Sequence, residues 1–200
     1  TNDLTTTNVY NANGDRIESI DARGNVTRAT YASHGEPLTT TDAIGNTTSN
    51  YFDGRGLLRS VTDALGNSTS LGYDDKGNLS SAQNADGVTL VTSAYNTFGE
   101  VTSATPVAGR TTYMDYTVNG DAAATWYYDG TGTAQVQILN RTLYDDNRRV
   151  VGSERFVLPN GQFVTEDVAT ASIPSQYRQF ATSTAFSVGG QVLSQTDQNG

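Results

Sequence analysis

The sequence has no cysteine among its 200 residues, which excludes both a disulfide framework and a thiolate metal site. It also has no apolar run of about 18 residues, so no membrane-spanning helix is predicted, and it shows no signal peptide. Positive charge is scarce, because 12 Lys and Arg stand against 21 Asp and Glu and the formal net charge is −9. Nucleic acids and anionic lipid surfaces bind concentrated positive charge, so neither is an expected partner.

Apolar residues are also few. They make up 36 % of the chain, below the roughly 45–50 % of ordinary globular domains. This composition predicts a thin sheet with polar faces in place of a thick two-layer core. The chain begins at Thr1 without Met, and it ends in the turn phrase DQNG. The similar turn phrases DARG, DAIG and DALG are each followed by Asn and a predicted strand. We therefore expect a piece of a longer protein.

Catalytic residue types are nearly missing. His34 is the only histidine, and it lies in the predicted turn YASHG, where a solvated turn residue is expected. The sequence offers no G-x-S-x-G, H-E-x-x-H or Ser/His/Asp constellation. The carboxylate pairs Asp74-Asp75, Asp145-Asp146 and Glu166-Asp167 resemble a glycosidase dyad, but turn capping explains the first two. The sequence predicts no enzyme, no catalytic residue, no cofactor and no metal site.

Glycine recurs at regular intervals through the first half of the chain, and we call this spacing the glycine beat. Its positions are Gly14, Gly24, Gly35, Gly45, Gly56, Gly66, Gly77, Gly87, Gly99 and Gly109, with alternating steps of 10 and 11 residues and a single step of 12. The repeating unit is thus 21 residues long, and the phrases DARGN, DAIGN and DALGN recur at that spacing. Near the end, Phe186 precedes Gly190 by four residues, as Tyr73 precedes Gly77.

The phrases around these glycines are typical of tight turns. In D-A-x-G and in Y-x-x-x-G, an Asp or Asn bonds backbone N–H groups ahead of it, and Gly takes the left-handed conformation that reverses the chain. The runs between them, such as NVTRATY and NSTSLGY, have strand length and are rich in Thr, Val, Ser and Tyr. Helix periodicity is missing. The sequence predicts an all-β antiparallel meander of 21-residue β-hairpins.

Two ladders of side chains follow from this beat. The tyrosines should stack along one face, each ring contacting the next across strands: Tyr10, Tyr31, Tyr51, Tyr73 and Tyr95. A second, apolar ladder is expected two or three residues after alternate glycines: Ile17, Leu38, Leu58, Leu79, Val101 and Val192. We interpret both ladders as packing and not as a ligand cage.

The repeat becomes irregular between Thr111 and Ala185. There LYDDNRRVV places Arg148 in the glycine slot, LPNGQFV predicts a tight Asn-Gly hairpin, and SIPSQYRQFA predicts one short helix starting near Pro174. We expect three parts: regular repeats over residues 1–110, longer projecting hairpins over 111–185, and a return of the repeat over 186–200. Specificity is expected around residues 113–128 and 155–179, since long hairpins carry function more often than regular turns.

Five asparagines head an Asn-x-Ser/Thr triplet: Asn25, Asn46, Asn67, Asn78 and Asn140. In a eukaryotic secreted protein such triplets accept glycans. A turn Asn followed by a strand Thr or Ser also creates the triplet without any glycan, and we favour that explanation.

The phrase YDDKGNL, with D-x-x-G-N half a period away and a 21-residue unit, resembles the RHS/YD-repeat family. The resemblance covers residues 8–110 and 186–200 well and 127–151 in part. It implies a β-sheet strip that curves or spirals into a hollow cocoon, which encloses a toxic C-terminal segment in bacterial toxin complexes and RHS effectors, or carries an adhesion module in teneurins. Some family shells end in an aspartyl protease with a D-P-x-G signature, and no Asp-Pro pair occurs here.

The resemblance implies a non-catalytic segment of an RHS-type shell in a large secreted or cell-surface bacterial protein. Its partners would be the neighbouring repeats and the enclosed C-terminal domain of its parent chain, with a glycan or cell-surface partner as a further possibility. Strands about 4.8 Å apart give a strip of about 90 Å, enough to bound part of a chamber. The alternative is a carbohydrate- or cell-wall-binding adhesion module, similar to choline-binding repeats, which build cages from several aromatics. Trp126 is the only Trp and each unit has one regular Tyr, which favours the shell.

Overall fold

The computed structural model describes residues 5–165 and 167–199, and their regular secondary structure is almost entirely β-strand. The first strands are β1 (Thr7–Tyr10), β2 (Arg16–Ile20), β3 (Val26–Tyr31), β4 (Pro37–Thr41), β5 (Thr47–Phe52), β6 (Leu58–Thr62), β7 (Ser68–Tyr73) and β8 (Leu79–Gln83). They are followed by β9 (Thr89–Tyr95), β10 (Val101–Pro106), β11 (Thr112–Tyr116), β12 (Ala122–Asp129), β13 (Val136–Tyr144), β14 (Val150–Pro159), β15 (Arg178–Phe186) and β16 (Val192–Asn199). Short 3₁₀ turns span Gly132–Ala134 and Ser175–Tyr177.

The strands hydrogen-bond in sequence order from β1 to β16. The paired strands are antiparallel, so the predicted all-β meander of hairpins is confirmed. The chain divides into two compact units, residues 1–92 and 93–200, and the boundary falls within β9. Within the described ranges, no helix has the length and apolar character needed to cross a membrane.

Most corners at both edges of the sheet share one hydrogen-bond pattern. In the turn at residues 63–66, Asp63 N–H donates to Asn67 O at 2.9 Å and Gly66 N–H donates to Asp63 O at 3.0 Å, while Gly66 has φ of +86°. The glycines of the beat from Gly14 to Gly99 all have positive φ. Gly109 is the exception: its N–H still donates to Pro106 O, but its φ lies outside the left-handed region. The predicted left-handed conformation was wrong there.

The hairpins that follow the aromatic positions skip one residue. Tyr73 pairs with Leu79 and Gly72 pairs with Ser81, so Ser80 has no opposite residue and forms a β-bulge. The same skip recurs at Ile17, Leu38, Arg59, Ala123, Val151 and Leu193. At the opposite edge the regular hairpins pair without a skip, as Thr41 with Thr47 shows, and the β8–β9 hairpin, which skips Leu90, is an exception. Thus the two edges differ in strand pairing, although their turns are alike.

Both predicted ladders need correction. We call the aromatic residue that ends the first strand of each such hairpin the rung. Phe52, and not Tyr51, occupies this position, because Phe52 pairs with Leu58 as Tyr73 pairs with Leu79. Tyr51 is the preceding residue and is 63 % exposed. In the apolar ladder, Ile17 and Leu38 are skipped residues, whereas Leu58, Leu79 and Val192 are paired ones.

The strand spacing does not favour direct stacking of successive rungs. Rungs lie two strands apart, about 9.6 Å, beyond the roughly 4.5–7 Å of an aromatic pair. The tyrosine hydroxyl instead donates to a backbone carbonyl of the preceding hairpin: Tyr31 to Arg16 at 3.2 Å and Tyr73 to Leu58 at 2.9 Å. Each such rung is therefore tied to the preceding hairpin by a hydrogen bond.

The segment after β14 departs from the predicted hairpin. A turn does form at Asn160 and Gly161, with Gln162 N–H donating to Pro159 O at 3.0 Å, but no strand returns directly. The next strand, β15, begins only at Arg178. The predicted short helix near Pro174 is present as the 3₁₀ turn Ser175–Tyr177.

Candidate functional site

The second unit has a hydrophobic core on one face of strands β11 to β14. Tyr113, Trp126, Leu139 and Phe156 are in register on successive strands, and the ring centroids of Tyr113 and Trp126 are 5.5 Å apart. The segment between β14 and β15 lies over this face. We call residues 162–165 and 167–173 the strap, and its Val168 is buried in the cluster. The expected projecting hairpin is thus replaced here by a covering layer.

A fully buried glutamine holds one end of the strap. Gln137 Nε2 donates to Val164 O at 2.7 Å, and Val164 N–H donates to Gln137 Oε1 at 2.9 Å. Both polar groups of the buried amide are thereby satisfied, as burial requires. The recognition involves only the backbone of Val164, so it fixes the position of the strap independently of the side chain there.

Arg141 holds the other end of the strap. Its Nε donates to Val168 O at 2.9 Å and its Nη2 donates to Ala171 O at 2.6 Å. Its guanidinium also lies over the Phe156 ring and 3.9 Å from Glu154. Burial lowers the pKa of Arg141, and Glu154 opposes that effect. These contacts assign Arg141 a packing role.

An open cleft of about 630 Å³ lies between two neighbouring turns of the second unit, at residues 96–99 and 117–120. Glu100, Thr102 and Tyr116 line it, and the side chains of Phe98 and Val118 stand exposed at its mouth. The Tyr116 hydroxyl donates to a strand carbonyl at 2.9 Å, as other rungs do. Burial raises the pKa of Tyr116, and the nearby Glu100 carboxylate raises it further.

Among the described residues, arginines lie over aromatic rings at four places, and each of these guanidinium groups also meets a carboxylate. The sites are Arg59 with Tyr73 and Asp53, Arg110 with Tyr127 and Asp129, Arg141 with Phe156 and Glu154, and Arg149 with Phe186 and Asp145. A ring face and a carboxylate both attract a guanidinium. This arrangement is the recurrent cation site of the molecule.

The carboxylates singled out in the sequence serve turns. Asp74 Oδ1 accepts N–H groups of Lys76 and Asn78, and Asp145 accepts from Asn147 and Arg149. Glu166 lies outside the described residues. Over the described ranges no group of three or more His, Asp or Glu is arranged to hold a metal ion.

The lone histidine and the asparagine triplets are likewise local features. His34 is exposed in its turn, with Ser33 Oγ 3.2 Å from its Nδ1. Four triplet asparagines follow a turn glycine and donate Nδ2 to the turn aspartate: Asn25, Asn46, Asn67 and Asn78. Asn140 differs, because it lies within β13 opposite Thr125 and Arg155. The turn explanation of its triplet was wrong.

The turn chemistry and the strand register together match a known repeat. The family model described as RHS Repeat matches residues 52–89. Residues 52–89 thus carry an RHS repeat. The matched RHS segment contains the Phe52 and Tyr73 rungs and the turn aspartates Asp63 and Asp74. The stretch YDDKGNL that carried the sequence resemblance lies within it.

A solved structure shares the fold of this chain. The Photorhabdus luminescens Tc holotoxin pore matches 96 % of this chain with a TM-score of 0.60 at 12 % identity, and the match covers 12 % of that chain. TcdB2-TccC3 without the hypervariable C-terminal region matches 98 % of this chain at 14 % identity with a TM-score of 0.42, over 13 % of its own length. This chain therefore spans about an eighth of those chains. No curated protein matches the sequence significantly.

Proposed function

We propose that this RHS-repeat chain is a non-catalytic wall segment of a shell that encloses or presents a separate cargo domain. The observation that carries the proposal is the strictly sequential strand order, in which each hairpin pairs with the next. Such an arrangement grows by adding units at either end. Within the described residues, β1 and β16 each have one paired neighbour, so each has an edge that a further strand can occupy.

The thinness of the first unit fits a wall. Its strands carry mostly exposed or half-buried residues, and Ala82 is the one buried hydrophobic residue described there. The backbone ladder and the capped turns therefore hold this sheet, more than a core does. The solved structure that shares this fold is a Tc holotoxin pore, which supports a large secreted or surface bacterial protein as the parent.

Adhesion through aromatic cages is less well supported. The Tyr73 ring is covered by Arg59, whose Cζ lies 5.3 Å from the ring centroid. The Tyr31 and Tyr73 hydroxyls bond to carbonyls of neighbouring strands. Regular tyrosines used in this way are structural.

The two functions differ in solution. A wall segment should associate through its outer strands, which sedimentation velocity measures, and it should bind no glycan on an array. Lysines at both edges, Asn8→Lys with Ser194→Lys, should give monomers, because charged edges resist strand addition. The matched control places lysines in exposed turns, Ala12→Lys with Gln191→Lys, and should still associate. Saturable binding of one saccharide that Tyr73→Ala removes without unfolding would contradict the wall and favour adhesion.

A further inference from the structure

The cleft at Tyr116 repeats a cation site found elsewhere in this molecule, with one residue exchanged. At the Tyr73 rung, the hydroxyl donates to Leu58 O, and the next residue, Arg59, lies over the ring. At the Tyr116 rung, the hydroxyl donates to Val101 O at 2.9 Å, and the next residue is Thr102. Thr102 is therefore the positional equivalent of Arg59.

The exchange leaves space beside the ring. Arg59 fills the equivalent position with a guanidinium, whereas the short side chain of Thr102 lines an open cleft together with Tyr116. The cleft is large enough for a side chain, at about 630 Å³.

The carboxylate of the cation site is retained. At the Tyr73 rung, Asp53 Oδ2 accepts from Arg59 Nε at 2.8 Å. Asn96 takes the position of Asp53, three residues before the turn glycine, and donates Nδ2 to Glu100 Oε2 at 2.6 Å. Glu100 thus brings a negative charge to the same cleft, held in place by its own turn.

We propose that this cleft binds the guanidinium of an arginine side chain from a protein partner. Tyr116 offers its ring and Glu100 its carboxylate, as Tyr73 and Asp53 do for Arg59. Phe98 is 87 % exposed and Val118 is fully exposed at the mouth. These apolar side chains suit residues that flank the arginine in a peptide, which a free guanidinium compound lacks.

The binding test uses N-acetyl-argininamide and a hexapeptide with one arginine between apolar residues. Titration is followed by amide chemical shifts of Asn96, Val118 and Gly120. Both ligands should shift these signals, and the peptide should bind at least tenfold more tightly because it also contacts Phe98 and Val118. Equal affinities would overturn the assignment to a protein partner. The neutral analogue N-acetyl-citrullinamide should not bind, and equal binding of that analogue would overturn a cation site.

Two variants test the residues. Glu100→Gln should weaken the peptide at least tenfold, and Thr102→Arg should abolish binding by placing an internal guanidinium over Tyr116. Glu36→Gln is the matched control, since Glu36 also directly follows a turn glycine but lies in the first unit. Far-UV circular dichroism checks that each variant is folded. Unchanged affinity in folded Glu100→Gln and Thr102→Arg would refute the site.

Discussion

Arg148 donates two hydrogen bonds to the carboxylate of Asp121, at 2.8 and 2.6 Å, across 27 residues of sequence. Asp121 directly follows the turn glycine Gly120, and Arg148 occupies the glycine slot of the next turn on that edge, with φ of +63°. Glu100 likewise directly follows a turn glycine, Gly99, and lies over Gly120 of the next turn on that edge. A Cβ added to Gly120 would lie 2.8 Å from Glu100 Oε1. The hydrogen bonds to Arg148 lower the pKa of Asp121.

This relation predicts an order of stability at position 148. Arg148→Ala removes the ion pair but keeps a Cβ at positive φ, whereas Arg148→Gly removes both. Arg148→Gly should be more stable than Arg148→Ala by about 1 kcal/mol in urea unfolding. The control is the adjacent Asn147, whose φ is not positive, so Asn147→Gly should not be more stable than Asn147→Ala. If Arg148→Ala is as stable as Arg148→Gly, or more stable, the left-handed conformation assigned to residue 148 is wrong.

The turn aspartates predict a loss of stability in acid. The pKa values of Asp21, Asp42, Asp63 and Asp74 are lowered, chiefly by hydrogen bonds from Asn25, Asn46, Asn67 and Asn78. Their unfolded pKa is about 3.9, so the unfolded chain binds more protons below that pH. The contribution is present above about pH 4 and is lost as pH falls through the folded values. The urea concentration at the unfolding midpoint should therefore decrease as the pH is lowered from about 5 to about 2.

One asparagine should control one carboxylate. Asn67→Ala removes the largest cause of the Asp63 shift, so the pKa of Asp63 should rise toward its ordinary value. Carboxyl ¹³C titration measures this, with Asp42 as the internal control that should not change. Equal shifts at Asp63 and Asp42, or none at either, would contradict the assigned hydrogen bond.

The strap should depend on its buried glutamine. Gln137→Ala leaves the N–H and C=O groups of Val164 without their partner, and we expect a loss of about 2 kcal/mol. Emission from Trp126, the only Trp, should move to longer wavelength, and amides of the strap should exchange faster. Ile138→Ala is the control, because neighbouring strand residues face opposite sides. Unchanged strap exchange in Gln137→Ala, or equal acceleration in Ile138→Ala, would argue against this anchor.

The 12-residue glycine step has a structural counterpart at Leu90. Gln83 pairs with Thr89 and Ala82 pairs with Val91, so Leu90 is skipped. Deleting Leu90 should leave a register like that of Thr40 with Thr48 and should cost less than about 1 kcal/mol, within the range of mild substitutions. Deleting Thr48 instead moves a paired strand by one residue and exchanges its faces, so the chain should unfold at far lower urea. Comparable midpoints for the two deletions would refute the register.

The sequence predicted the local features well, because glycine corners and turn aspartates depend on neighbours a few residues away. It misplaced the aromatic rung at Tyr51, although the adjacent Phe52 is the residue that pairs with Leu58. Counting four residues back from Gly56 would have found it.

Long-range features could not be found in this way. The strap meets Gln137 and Arg141 through backbone groups 27 to 30 residues away, which leave no side-chain pattern. The cleft at Tyr116 depends on recognising Thr102 as the equivalent of Arg59, and that equivalence requires the rung hydrogen bonds.

The most direct test is a density map of the full-length protein that carries this chain, at a resolution that traces individual strands. Consecutive wall hairpins should appear in the order β1 to β16, with one further strand hydrogen-bonded to the outer edge of β1 and another to that of β16. A map in which both edges face solvent, or in which this chain stands apart as a separate domain, would contradict the wall.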